Sequence, residues 1–423
     1  PSGLTIGHAG IDGTLQGGRP GRGRKGEHAR NDTLEPMRIA FIAGEYPPLQ
    51  GGLGDFTREL ARASALAGHA PTVITRTATG APARETELGV TVQRIVEGWG
   101  WATAGAIGRY AEGAPADVFN LQFQAAAYGM HPAIHLLPRL LQRHAPVVVT
   151  FHDLRVPYLF PKAGPLRWRA MLTLARSAAG VIVTNPEDAA TLRAAGLTRV
   201  REIPIGSNIT PAALAGFDPA AWRAARGIPA TTALIGYFGF LNESKGGETL
   251  LRALAALRGQ ARDVGLLLIG GQTGASDATN VAYARAIEDL AAGLNVSAQV
   301  FRTGFVDDRG VSEAFAACVG LALPYRDGVS LRRGTLMAAF AHGAPIVTTT
   351  PRQAIAGLED GATFLLVPPD DAPALAAAIA RLLDDGGLRA TLRAGSLRAS
   401  GRFAWPSIAA ETTTFFQACG AKG

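Results

Sequence analysis

At 423 residues and 43.9 kDa the chain is too long for a single hydrophobic core, and its length sets an expectation of two domains. With 47% hydrophobic and 18% charged residues it can bury large cores, which excludes a disordered chain, and no apolar run approaches the roughly 20 residues of a membrane-spanning helix. The net charge of +7 comes largely from arginines scattered singly, and aromatics at 7% offer no array of stacking platforms, so nucleic-acid binding is not expected.

Residues 1–36 are rich in Gly, Arg and polar residues without helical or strand periodicity. Five Lys or Arg against four Asp or Glu leave this stretch almost uncharged, so it reads as a disordered N-terminal extension rather than a basic arm, with Met37 the natural start. The pattern then changes. Arg38–Ala43 reads as a buried strand, followed by a Gly/Pro loop, a helix from about Asp55 to Ala67 and a strand over Thr72–Thr75. Such a strand, crossover helix and parallel strand wind right-handed. Further buried strands are expected at Val118–Gln122, Val147–Phe151 and Gly180–Thr184.

A second series begins near Leu234 and repeats this logic. It runs through helix Gly247–Leu257, strand Gly265–Ile269, helix Asn280–Leu294, strand Ala298–Arg302 and helix Asp307–Ala317. Strand Gly320–Pro324, helix Thr335–His342 and strand Pro345–Thr349 complete it. The fold class expected is α/β, two facing Rossmann-like, doubly wound domains with a cleft between them. Their expected spans are 37–210 and 211–405, with the segment 406–423 forming a last helix, near Ser407–Gln417, that packs back onto the first domain.

Ligands of such sheets bind beyond the carboxyl ends of the strands, so the loops there hold the candidates. The first loop carries Gly51, Gly52 and Gly54 just before a helix, where backbone amides and the helix dipole favour an anion. Its spacing is not G-x-G-x-x-G, and Thr75-Arg76-Thr77 supplies no acidic residue for a ribose, so NAD binding is only a runner-up. His152 and Asp153 end the strand Val147–Phe151, where a His faces the cleft and meets a sugar hydroxyl or carbonyl, while Asp153 also suits a simple capping role. Lys245, in the run Gly239 to Gly246, places an ammonium beside a helix start, suited to diphosphate oxygens. The richest loop, 324–335, joins Asp327 to Ser330, Leu331, Arg332, Arg333 and Thr335, enough to hold sugar hydroxyls and a diphosphate. The alternative is a surface loop with an Asp327–Arg ion pair.

In this order, the motifs resemble the GT-B glycosyltransferases, specifically the retaining family 4, from Met37 to Gln417. Gly51-Gly52-Leu53-Gly54 is similar to that family's acceptor-side glycine loop, Phe151-His152-Asp153 to its His at the donor sugar, and Ile205-Gly206-Ser207-Asn208 to its inter-domain turn. Gly239 to Gly246 resembles its phosphate clamp, and Asp327 to Gly343 its carboxylate loop and following helix. The resemblance implies a nucleotide held mainly by the second domain, His152 and Asp327 as catalytic residues, and metal-independent transfer with retention. Two positions depart from the pattern. Phe240 stands where the clamp has arginine, and Thr335, or Ala338 if aligned from Gly343, stands where the second carboxylate belongs. Arg332 and Arg333 are therefore expected to replace the missing clamp charge.

The expected partners are a nucleotide sugar as donor substrate and a sugar, lipid or small-molecule acceptor, with no cofactor and no metal. Cys318 and Cys419 stand far apart with no Cys or His pairing, which argues against a disulfide framework or zinc site and fits a reducing, cytoplasmic setting. Pro165 to Arg169 reads as an ordinary amphipathic helix or as a segment lying on the inner membrane surface. Two rivals share the cleft: a GT-B epimerase or phosphorylase, and a nucleotide-sugar-binding protein without transfer activity.

Overall fold

The computed structural model describes residues 35–49, 51–154, 164–270 and 278–421. The extension expected over 1–36 lies, apart from its last two residues, outside them. Two sheets organise the described chain. The first contains β1 (Arg38–Ala43), β2 (Ala70–Arg76), β3 (Arg84–Glu87), β4 (Val90–Val96), β5 (Val118–Phe123), β6 (Val147–Phe151), β7 (Gly180–Val183) and β8 (Val200–Glu202). Helices α1 (Gly52–Leu66), α2 (Trp101–Gly113), α3 (Leu137–Leu141), α4 (Gly164–Ser177) and α5 (Pro186–Ala194) connect these strands. Their order across the sheet is β3-β4-β2-β1-β5-β6-β7-β8, parallel throughout except that β3 runs against β4.

After α6 (Pro219–Ala224) the second sheet is built from β9 (Ala233–Phe238), β10 (Val264–Ile269), β11 (Val300–Arg302), β12 (Gly320–Leu323), β13 (Ile346–Thr349) and β14 (Leu365–Val367). Its order is β11-β10-β9-β12-β13-β14, and every pairing is parallel. Helices α7 (Gly247–Gly259), α8 (Ala278–Gly293), α9 (Asp308–Ala317) and α10 (Gly334–Ala341) lie between these strands, and α11 (Ala372–Asp384) and α12 (Gly386–Ser400) follow them. The last helix, α13 (Trp405–Gly420), returns to the first sheet, where Ile408, Phe415 and Phe416 join Phe41, Phe56 and Val73 in one core.

Parallel strands covered on both faces must be apolar almost throughout, and β1, β6 and β10 are. Burying each Ile, Leu, Val or Phe side chain stabilises by about 1.5–3 kcal/mol, so these runs hold both sheets. In each sheet the first strand has later strands on both sides: β2 and β5 flank β1, and β10 and β12 flank β9. That reversal opens a crevice at the carboxyl ends of β1 and β5, and of β9 and β12, the place where open α/β sheets take ligands.

Candidate functional site

The loops leaving β9 and β12 meet at the reversal of the second sheet. Beyond β9 the chain turns at Gly239 with φ 110°, a left-handed conformation unsuited to other residues. A side chain there would come within 2.7 Å of the Thr335 methyl and 3.3 Å of the Lys245 ammonium, so Gly239 leaves space beside both groups. A single 3-10 turn over Glu243–Lys245 and a left-handed Gly246 then start α7. The Arg326 amide donates to the Ser244 carbonyl at 3.0 Å, which fastens this loop to the one after β12.

Lys245 is the electrostatic centre. Burial, reinforced by repulsion from Arg333, brings its ammonium down to about 8. Among the described residues no carboxylate pairs with it. Arg333 pairs with Asp327, and its guanidinium lies 4.7 Å from the centre of the Tyr325 ring. The Tyr325 hydroxyl shares a 2.6 Å hydrogen bond with Thr335, and no side chain caps the amino end of α10, which begins at Gly334. A poorly solvated lysine, a nearby guanidinium and an uncapped helix start form an arrangement chemically suited to an anion.

Other candidates lie elsewhere. Leu331 is fully buried in the second core, so its side chain packs rather than binds. The Ser330 carbonyl accepts from the Arg333 amide at 3.2 Å and shapes the turn before α10. Arg332, expected at the diphosphate, reaches instead to two carboxylates of the first lobe, Glu187 at 2.9 Å and Asp153 at 3.4 Å. Two acceptors at that position outcompete a solvent-facing orientation, and the bridge ties the loop of His152 to the loop of Asp327. Arg332→Ala is expected to cost about 1–2 kcal/mol and to raise the donor KM, measured by thermal denaturation and steady-state kinetics. Phe240, at the clamp's missing arginine, is exposed.

In the first lobe, His152 follows β6 and meets the Gln122 side-chain oxygen through Nε2 at 2.7 Å. Phe56 packs edge-on at 4.6 Å, and burial holds the imidazole down at about 4, so it is neutral at physiological pH. The glycine loop departs from its expected role. Glu45 accepts from the amides of Leu53 and Gly54, and a side chain on Gly51 would overlap its carboxylate. Gly51 and Gly52 therefore sit at a helix start already occupied by a protein anion, which also disfavours a dinucleotide pyrophosphate there. Glu45 was not legible locally, since its role arises from the loop folding back on itself. Beside the end of β5, Phe123, Met130, His131, Ile134, His135 and Met171 line a partly open, largely apolar pocket. No group of three or more His, Cys, Asp or Glu among the described residues is placed to hold a metal.

Residues 51–206 match the family model described as a glycosyl transferase 4-like domain, and residues 232–385 match the model described as glycosyl transferases group 1. Over 200 residues the chain is 30% identical to a D-inositol 3-phosphate glycosyltransferase of Stackebrandtia nassauensis, an alignment covering 45% of this chain and 43% of the relative. The chain thus spans a little under half the length of the curated relatives it matches. Among solved structures, sucrose-phosphate synthase from Thermosynechococcus elongatus superposes with TM-score 0.71 at 24% identity, covering 90% of this chain and 98% of that one. HepE of Anabaena, in complex with UDP and glucose, gives 0.69 at 19% identity, covering 90% and 100%.

Proposed function

Because this chain belongs to the group 1 glycosyltransferases, family 4-like and built on the GT-B fold, we propose that it transfers a sugar from a nucleoside-diphosphate sugar to an acceptor hydroxyl, with retention and without a metal ion. The lobe spanning 211–405 takes the donor and the lobe spanning 37–210 the acceptor. The observation that carries this reading is Lys245, a poorly solvated cation with no carboxylate partner among the described residues, beside Gly239, Arg333 and the uncapped start of α10. A bound anion relieves that arrangement while keeping the Lys245 proton, and a diphosphate is such an anion. The UDP bound in HepE supports a uridine nucleotide as the first donor to try.

In this mechanism negative charge builds on the departing diphosphate and is stabilised by Lys245, Arg333 and the amides of α10, which are in place before reaction. His152 and Asp327 position the sugar. The leaving phosphate oxygen takes the acceptor's proton on the same face, so no separate base is needed. Activity unchanged by a chelator and a product NMR spectrum with the donor's anomeric configuration are the expected results. Inversion, or loss of activity on chelation, contradicts the respective part. Thr335 and Ala338 at the positions of the second carboxylate favour one second reading, binding without transfer, which nucleotide-sugar turnover at a measurable rate excludes.

The reading also fixes a pH dependence. Diphosphate oxygens restore the Lys245 proton that the free protein sheds near pH 8, so donor affinity is full below that pH and declines above it. Titrating nucleotide binding between pH 7 and 9.5 is expected to show about a tenfold weakening per pH unit at the upper end, with proton uptake on binding.

A further inference from the structure

Three buried polar side chains converge behind His152, and their hydrogen bonds have only one consistent assignment. Asn120 and Gln122 lie on β5 and Thr150 on β6, all shielded from solvent. The Asn120 Nδ2 donates to the Val148 carbonyl at 3.1 Å and to the Thr150 hydroxyl at 3.0 Å. A backbone carbonyl only accepts, so this amide cannot be reversed without setting oxygen against oxygen. Its Oδ1 therefore faces Gln122 and accepts from Nε2. The Gln122 Oε1 is left pointing at His152, and His152 Nε2, 2.7 Å away, must be the donor. Nδ1 then carries the lone pair and makes no hydrogen bond among the described residues. Tyr128 donates to the backbone carbonyls of Gln122 at 2.7 Å and Ile42 at 3.0 Å, which fixes the strand end that carries the ladder.

We infer that Asn120 and Gln122 form a positioning ladder that locks His152 in its Nε2–H tautomer, so that it meets the donor sugar as a hydrogen-bond acceptor through Nδ1. The acceptor half of this inference rests on the donor reading above. An acceptor nitrogen welcomes a sugar hydroxyl and repels a carboxylate, whose oxygens have no proton to give. The donor group that His152 meets is therefore one that carries a proton, a sugar hydroxyl rather than a carboxylate.

Imidazole nitrogen NMR of the full chain, with His152 assigned through His152→Gln, tests the lock without any activity. A single Nε2–H form at pH 7, becoming a tautomer mixture in Gln122→Met, is the expected result, whereas an Nδ1–H form in the wild type or an unchanged tautomer in a folded Gln122→Met overturns the lock. In the variant kcat is expected to fall about tenfold with donor KM within twofold, a split that a general loss of structure would not give. UDP-hexose analogues with single sugar hydroxyls replaced by methoxy groups test the acceptor role, and unchanged affinity across the whole series refutes it. An Nε2–H spectrum together with no nucleotide-sugar binding of any kind supports the lock and refutes the proposed donor instead.

Discussion

Lys245→Met is expected to lower kcat/KM for the nucleotide-sugar donor by two to three orders of magnitude, about 3–4 kcal/mol of transition-state stabilisation, while the ligand-free protein melts no lower than the wild type. The two halves have one cause. Folding removes the ammonium from water and sets it near Arg333, which is why it titrates near 8, and the charge costs stability until an anion arrives. The unfolded chain holds that proton up to the ordinary lysine range, so the folded protein gains stability as pH rises from about 8 and is penalised below it. Methionine removes the penalty and the function together. Thermal melts with and without nucleoside diphosphate, alongside donor kinetics, check this, and a variant that keeps wild-type donor kinetics contradicts the role given to Lys245.

The second large effect is expected at Gly246. Its φ of 71° disfavours any side chain, and an added Cβ would overlap the Pro324 carbonyl oxygen in the loop leaving β12. Gly246→Ala is expected to destabilise by about 3 kcal/mol and to abolish donor binding, because relief requires the Lys245 turn and the Asp327 loop to separate. Chemical denaturation and nucleotide titration measure both. Loss of stability with undiminished nucleotide affinity would show that the two loops do not act as one site.

The buried strands were legible because a parallel sheet demands continuous apolar runs, and β6 occupies the expected residues, Val147–Phe151. The helix expected from Asp55 begins instead at Gly52, because Glu45 supplies from outside the helix the cap that no local side chain provides. The β3–β4 hairpin is silent in the sequence for a similar reason: its turn is Leu88-Gly89, both at positive φ, and leucine carries no signal for that conformation. Strand β14 has three residues, too few for a periodic pattern. Charge and glycine at strand ends pointed to Lys245 and Arg333 beside α10. Partners distant in sequence left no local trace, and so Asp153 and Glu187 of the first lobe as the holders of Arg332, and Gln122 of the neighbouring strand as the holder of His152, emerged only in three dimensions. Leu331 illustrates the opposite case, a residue inside a functional loop whose side chain belongs to the core.

Calorimetric titration of nucleosides, nucleoside monophosphates and nucleoside diphosphates into the folded protein at pH 7 bears most directly on an anion held at Lys245 and Arg333. At least one diphosphate is expected to bind about a hundredfold more tightly than its nucleoside, with the difference abolished in Lys245→Ala. Equal affinity for nucleoside and diphosphate, or a diphosphate bound as tightly by Lys245→Ala, contradicts the account.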